Sequence, residues 1–241
     1  MSDTGAIFDF GFLLRSIPDI LAYLPVTLLL TVISAGFGLV FGFVTAMCRY
    51  YRVPVAAPIL RAIVSVMRGT PVMCQLLLSY YGIPVVLKLL NEQFGTAMSV
   101  DSIPPMAFAI VALSLNSGSY MSETLRSCMT SVDVGQVEAA ESINMTRLQT
   151  MRYVILPQAF ATAVAPLGNT VINLLKETSL VFNITVVEMM TEAQIIGSTS
   201  YRFFEVYIIV TVIYYILCWF LERGVAIVEH HFRRYERGGA R

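Results

Sequence analysis

Residues 20–48 read ILAYLPVTLLLTVISAGFGLVFGFVTAMC, without one Asp, Glu, Lys or Arg. The run exceeds the roughly 20 residues with which a helix crosses about 30 Å of hydrocarbon. It is long and continuous, whereas a barrel strand would alternate over about ten residues, so it is read as helix. Working outward, four more charge-free stretches follow: Gly69 to Leu87, Ser102 to Ser122, Tyr153 to Leu175 and Val206 to Leu221. The last is continued by Gly224 to Val228 past Glu222 and Arg223, whose side chains can snorkel to the interface. The expected fold is an all-α membrane protein with about five transmembrane helices, at about 20–48, 69–90, 102–126, 157–182 and 205–228. With no repeat or linker visible, one transmembrane domain is expected over 1–241.

Composition agrees. At 56% hydrophobic and 13% charged residues, with mean hydropathy +0.71, the chain has too few charges to coat a soluble globule, whose usage is about a quarter charged. The formal net charge is zero, but its placement is uneven. Arg49, Arg52, Arg61, Arg68, Arg126, Arg147, Arg152, Arg223, Arg233, Arg234, Arg237 and Arg241 fall on one side of the predicted spans; Arg15, Lys88, Lys176 and Arg202 fall on the other. The positive-inside rule then places the N-terminus outside, the C-terminus inside and the loop from Ser131 to Arg152 in the cytoplasm. No nucleic-acid partner is expected.

The start carries Asp3, Asp9 and Asp19 with only Arg15, which argues against a cleaved signal peptide. Cys48, Cys74, Cys128 and Cys218 are scattered singly and are read as packing residues. His230 and His231 adjoin Arg233 and Arg234 in a basic tail and are read as solvated, so no metal site is expected. Tyr50, Tyr51, Tyr80, Tyr81, Trp219 and Tyr235 lie near span ends, where interfacial anchoring and packing between helices would look alike. Gly38 and Gly42 form a GxxxG step that predicts close helix packing.

Between the third and fourth spans, 131–156 form a charged, Ala-rich insert containing Val137-Glu138-Ala139-Ala140-Glu141-Ser142-Ile143-Asn144-Met145 and closed by Val154-Ile155-Leu156-Pro157. Val137, Ala140, Ile143, Met145 and Leu148 recur at spacings of about three, which predicts one or two short amphipathic helices with a stripe facing a protein partner. An interfacial helix has the same pattern. The good helix formers Glu138, Ala139, Ala140 and Glu141 favour a stiff segment. Pro157 suits the first turn of the next helix, where its missing N–H would be unpaired anyway.

The insert resembles the EAA loop of ABC-importer permeases. Three further segments carry the resemblance: Arg68-Gly69-Thr70-Pro71 with Gln75; Ser119-Tyr120-Met121-Ser122-Glu123-Thr124-Leu125-Arg126; and Ile155 to Leu180, including Pro166-Leu167-Gly168-Asn169 and Lys176-Glu177-Thr178-Ser179-Leu180. Together they narrow it to the polar-amino-acid uptake family of ABC transporter permeases, the type serving histidine, glutamine, glutamate, arginine and cystine. Asn144 stands where that family places Gly, and Asn is the next most tolerant residue in the left-handed region.

The resemblance implies the type I ABC importer permease (MetI-like) fold and a bacterial inner-membrane subunit that moves a polar amino acid into the cytoplasm. It also implies a pair of ATPase subunits, an identical or homologous permease, an extracytoplasmic amino-acid-binding protein and membrane lipid as partners. ATPase coupling would fall to Glu138, Ala139, Ala140, Glu141, Asn144, Met145 and Pro157. The chain has no Walker A sequence and is not expected to be an enzyme; ATP and Mg would be bound by the ATPase, and no cofactor by this chain.

Polar residues in or beside a span tend to face a cavity or another helix. Gln75, Asn116, Asn169, Asn173, Lys176, Glu177, Thr178 and Ser179 are the candidates for the substrate pathway. Glu177 can accept from an ammonium, and Lys176, Thr178 and Ser179 can donate to a carboxylate. Interhelical hydrogen bonding is the other reading, above all for Asn169 and Asn173. An ion-coupled secondary transporter is the alternative function, against which the absence of a visible repeat argues.

Overall fold

The computed structural model describes residues 8–95 and 102–238, with side chains as far as Phe232, and every regular element among them is helical. Readings placed on Asp3 and Arg241, and on the side chains of Arg233, Arg234, Tyr235 and Arg237, lie outside the described residues. Helix α1 (Phe10–Leu21) starts where Asp9 accepts a hydrogen bond from the Phe12 N–H at 2.9 Å, and buries Ser16 and Ile20. The first span was expected from residue 20, but α2 (Leu24–Tyr50) begins later. The Ala22 N–H closes α1 on the Pro18 carbonyl, and Pro25 sits in the first turn of α2, where it gives up no hydrogen bond.

A tight joint at Val55 then leads into α3 (Ala56–Gly69), with φ 68° and ψ −52° and the Ala56 N–H donating to the Pro54 carbonyl at 2.7 Å. This is the geometry of a γ-turn, strained for a β-branched residue. Next come α4 (Val72–Phe94), α5 (Pro105–Thr130), α6 (Val134–Ser142) and α7 (Arg147–Thr150). A wide π-helical turn over Met151–Ile155 joins α7 to α8 (Leu156–Glu177) without a break. A 3-10 segment, Thr178–Ile184, precedes α9 (Met189–Ser200) and α10 (Phe203–Gly238).

Among the described residues, four helical stretches are long and apolar enough to cross a membrane: Leu24–Tyr50, Val72–Phe94, Arg147–Ile184 and Phe203–Phe232. The remaining expected span, α5, has 26 residues, enough length, but its second half is too polar to count by hydropathy. The polar residues at its middle face inward: Ser114, Asn116, Ser117, Ser119 and Ser122 are all buried.

The chain groups into two compact units, with boundaries inside α2, α5, α8 and α10 and one between α3 and α4. One comprises the chain up to Ser34, Val72–Leu113 and Leu174–Trp219. Its core gathers Ile20, Met189, Ala193, Val206, Ile209 and Val210 from α1, α9 and α10. The Ser79 hydroxyl donates to the Phe108 carbonyl at 3.0 Å, joining α4 to α5.

The other unit comprises Ala35–Pro71, Ser114–Asn173 and the chain from Phe220. Its core is Ala46, Leu125, Cys128, Met129, Met151, Ile155, Ala159 and Ala163. Here the expected close packing at Gly38 and Gly42 is found. A Cβ on Gly38 would lie 2.6 Å from the Ser117 hydroxyl, and one on Gly42 2.9 Å from the Gly118 carbonyl oxygen. Of the four free cysteines, Cys128 is in this core, whereas Cys74 is exposed rather than buried as a packing residue would be.

Candidate functional site

The insert folds as two short helices, the first closed locally at both ends and the second capped at its start and continuous with α8. The Asp133 carboxylate accepts from the Gly135 N–H at 2.6 Å to start α6. At its other end the Asn144 N–H donates to the Glu141 carbonyl at 2.9 Å and the Met145 N–H to the Ala140 carbonyl at 3.1 Å, with Asn144 at φ 59°. This pair of bonds around a left-handed residue is a Schellman closure, with Asn where glycine is usual. The expected turn at Asn144 is therefore present. Thr146 then opens α7 with a reciprocal capping box: the Gln149 N–H donates to the Thr146 hydroxyl, and the Gln149 side chain accepts from the Thr146 N–H at 2.7 Å. The Thr-x-x-Gln spacing carries that signal in the sequence.

The predicted apolar stripe divides. Ala140 is 4% exposed, and Val137 packs against the core of its own unit, so neither belongs to a partner-facing surface as expected. The helix lies on the base of α2 and the π turn, and its inward face is covered by its own chain. Val134, Ile143 and Leu148 are the apolar residues left open, each about 70% exposed, together with exposed Glu138, Ala139 and Glu141.

Pro157 lies in the first turn of α8, as expected, but that turn does not begin a separate helix. The helix runs unbroken from Arg147, and the π turn shifts the hydrogen-bond register so that the Leu156 N–H reaches back to the Met151 carbonyl. The widened turn accommodates a residue with no N–H and a ring that crowds the preceding turn.

Beneath the insert, Glu123 of α5 gathers three guanidinium groups. Arg49 approaches at 2.6 Å, Arg126 at 3.1 Å and Arg68 at 3.8 Å, and Arg68 also lies over the Tyr120 ring. The carboxylate thus ties the ends of α2, α3 and α5 to one point. Burial pushes the Tyr51 hydroxyl above its ordinary pKa, Tyr50 adds to the rise and Arg147 opposes it, so Tyr51 stays a neutral donor.

Of the pathway candidates, Gln75 is 7% exposed in the first unit, while Asn116 is 1% exposed in the second and donates to the Met67 carbonyl at 3.2 Å. Lys176, Asn169 and Asn173 are exposed and Glu177 is half-buried. Thr178 is fully buried and donates to the Leu175 carbonyl at 2.6 Å; Ser179 donates to the Lys176 carbonyl at 2.7 Å. Both hydroxyls are bonded within the chain.

The strongest buried polar site of the first unit was not read from the sequence. Glu188 has no exposed surface. It caps α9 by accepting from the Thr191 N–H at 3.0 Å, and takes the Tyr214 hydroxyl at 3.0 Å and the Thr27 hydroxyl at 3.2 Å. An acidic residue framed by Val186, Val187, Met189 and Met190 is the signal that could have found it.

The family model described as binding-protein-dependent transport system inner membrane component matches residues 38–234. Among curated relatives, the L-cystine transport system permease protein TcyL of Bacillus subtilis is 34% identical over 94% of this chain and 92% of its own. The arginine transport system permease protein ArtQ of the same organism is 35% identical over 87% and 90%. A chain from the crystal structure of an amino acid ABC transporter with histidines superposes with TM-score 0.80 at 33% identity, covering 94% of this chain and all of that one. A chain of the inward-facing MetNI methionine ABC transporter, at TM-score 0.67 and 19% identity over 92% and 96%, shares the fold. The all-α architecture, the closed insert and the match over most of the length agree: this chain belongs to the family of inner membrane components of binding-protein-dependent transport systems.

Proposed function

We propose that this chain is the membrane-spanning permease subunit of an ATP-driven importer that carries a polar amino acid into the cytoplasm. It receives the solute from an external binding protein and works beside an identical or homologous permease. The insert faces the cytoplasm and is held by an ATPase pair, which binds the ATP and Mg. Five spans, near 20–48, 69–90, 102–126, 157–182 and 205–228, put the N-terminus outside. The similarity to amino-acid permeases supports the choice of solute.

The observation that carries this reading is the capped insert with Ile143, Leu148 and Val134 open on its outer surface and its base anchored in its own core. Such a body transmits force: movement of the insert passes through the continuous helix from Arg147 into the span. Glu138, Ala139, Glu141 and Ile143 form the contact in this scheme; Asn144, Met145 and Pro157 shape it. Gln75, Asn116, Lys176, Glu177, Thr178 and Ser179 remain the proposed pathway residues.

The test is copurification and amino-acid-stimulated ATPase activity of the complex in vesicles with the binding protein. Ile143→Asp with Leu148→Asp is expected to weaken ATPase association by about tenfold or more while the permease still folds, the size of effect usual for loss of a buried anchor. Glu138→Lys is expected to uncouple hydrolysis from uptake. Full coupled transport in both variants would sink the docking role.

A further inference from the structure

Between the insert and the end of α2 lies a cavity of about 230 Å³, one of whose lining residues, Glu141, also belongs to the proposed docking contact. It is smaller than the roughly 300–1,000 Å³ of drug-sized pockets, and suits one small ligand. Its walls combine Arg147, Glu141, Tyr50, Tyr51 and Thr150 with an apolar floor of Val137, Met145, Met151 and Ile155.

Thr150 is 4% exposed and its hydroxyl is buried with no hydrogen-bond partner. Other helical threonines bond the carbonyl four residues back, as Thr130 does on Arg126 and Thr162 on Gln158; Thr45 in α2 shares the lack of a partner but does not line this cavity. A hydroxyl that forgoes this bond and lines a cavity carries a desolvation cost that a ligand can remove. The two charged groups agree. Neither the Arg147 guanidinium nor the Glu141 carboxylate has an ion-pair partner among the described residues, although both line the same space.

One cation, one anion and a spare hydroxyl over an apolar floor complement a zwitterion with a hydrocarbon side chain. We propose that this cavity binds a free α-amino acid with a neutral aliphatic side chain. Its carboxylate sits on Arg147 and Thr150, its ammonium on Glu141, and its side chain on Val137, Met145, Met151 and Ile155. A bound ligand bridges the end of α2, through Tyr50 and Tyr51, to both helices of the insert. The site is distinct from the proposed pathway residues Gln75, Lys176 and Glu177, which lie in the other unit.

The test is equilibrium binding of radiolabelled L-leucine to the full permease in lipid nanodiscs, without binding protein. Saturable binding at one site per chain is expected. Arg147→Ala and Glu141→Gln each weaken it by about tenfold or more, as loss of a charge-assisted hydrogen bond does, and Thr150→Val weakens it by roughly threefold to tenfold. Exposed Glu222→Gln leaves it unchanged. Leucine methyl ester, which lacks the carboxylate, and 4-methylpentanoate, which lacks the ammonium, compete about tenfold more weakly or worse.

Partial rescue by Arg147→Lys separates loss of charge from loss of fold. The absence of saturable binding, or an affinity in Arg147→Ala and Glu141→Gln equal to that of the unmodified permease, overturns the proposal. Binding that vanishes when purified ATPase is added also overturns it, and makes the cavity a socket for a partner side chain. ATPase pull-down on the same material reports docking by itself, so failure of one reading is distinguishable from failure of the other.

Discussion

At Asn144 one residue decides where the insert turns. Its left-handed conformation satisfies two orphan carbonyls at the end of α6, and Asn holds it at some strain because its side chain resists φ 59° more than glycine does. Replacing it by the residue the family pattern prefers is therefore expected to stabilise. Asn144→Gly should raise the thermal midpoint of the detergent-solubilised permease, with a gain of up to about 1 kcal/mol. A lower midpoint would show that the Asn side chain makes a bond that outweighs its strain. Val55 is the sharper outlier, a β-branched residue at φ 68° held by the short Pro54 to Ala56 turn. It marks the joint between α2 and α3 as a place where backbone strain is stored.

At the scale of elements, the crossing of α2 with α5 depends on missing side chains. Gly38, Gly42 and Gly118 bring two backbones so near that a Cβ on Gly118 would fall 2.6 Å from the Gly38 carbonyl oxygen. Without a hydrophobic driving force between helices in lipid, such contact is the main source of attraction. Gly42→Leu cannot be absorbed by a rotamer change, because the nearest atom is backbone, and should cost roughly 1–3 kcal/mol by overpacking. Loss of monodisperse elution, with Gly36→Leu as the tolerated control facing open space, checks it.

This crossing was legible because GxxxG is a local pattern. So was the insert, since helix formers, Asn144 and the charge run all lie within one short segment. The face it presents was not legible, because spacing alone does not say whether Ala140 meets its own chain or another. Glu188 was missed for a related reason. Its partners Thr27 and Tyr214 are distant in sequence, and only the fold brings three donors to one carboxylate. What was not legible near Pro157 is the π turn before it, which leaves no pattern of its own and carries the helix on from Arg147.

For the molecule as a whole, the distribution of arginines sets the expected orientation. Cysteine placed at Glu138 or at Tyr201, which is 88% exposed, should react with a membrane-impermeant thiol reagent from opposite sides of sealed vesicles in a background with the four native cysteines removed. Glu138→Cys should react only from the cytoplasmic side, and Tyr201→Cys only from the exterior. Labelling of both from one side would undo the topology and the docking scheme with it.

The caps of the insert have one more outcome for assembly. Asp133, the Asn144 closure and the Thr146–Gln149 box settle both ends of α6 and the start of α7 using groups from the insert alone, and α7 runs on into the next helix. A companion subunit therefore meets a finished shape and surrenders no free energy to ordering it. Encounter should proceed as rigid-body docking, with amide exchange in residues 133–150 already slow in the solitary permease and little changed once the companion arrives.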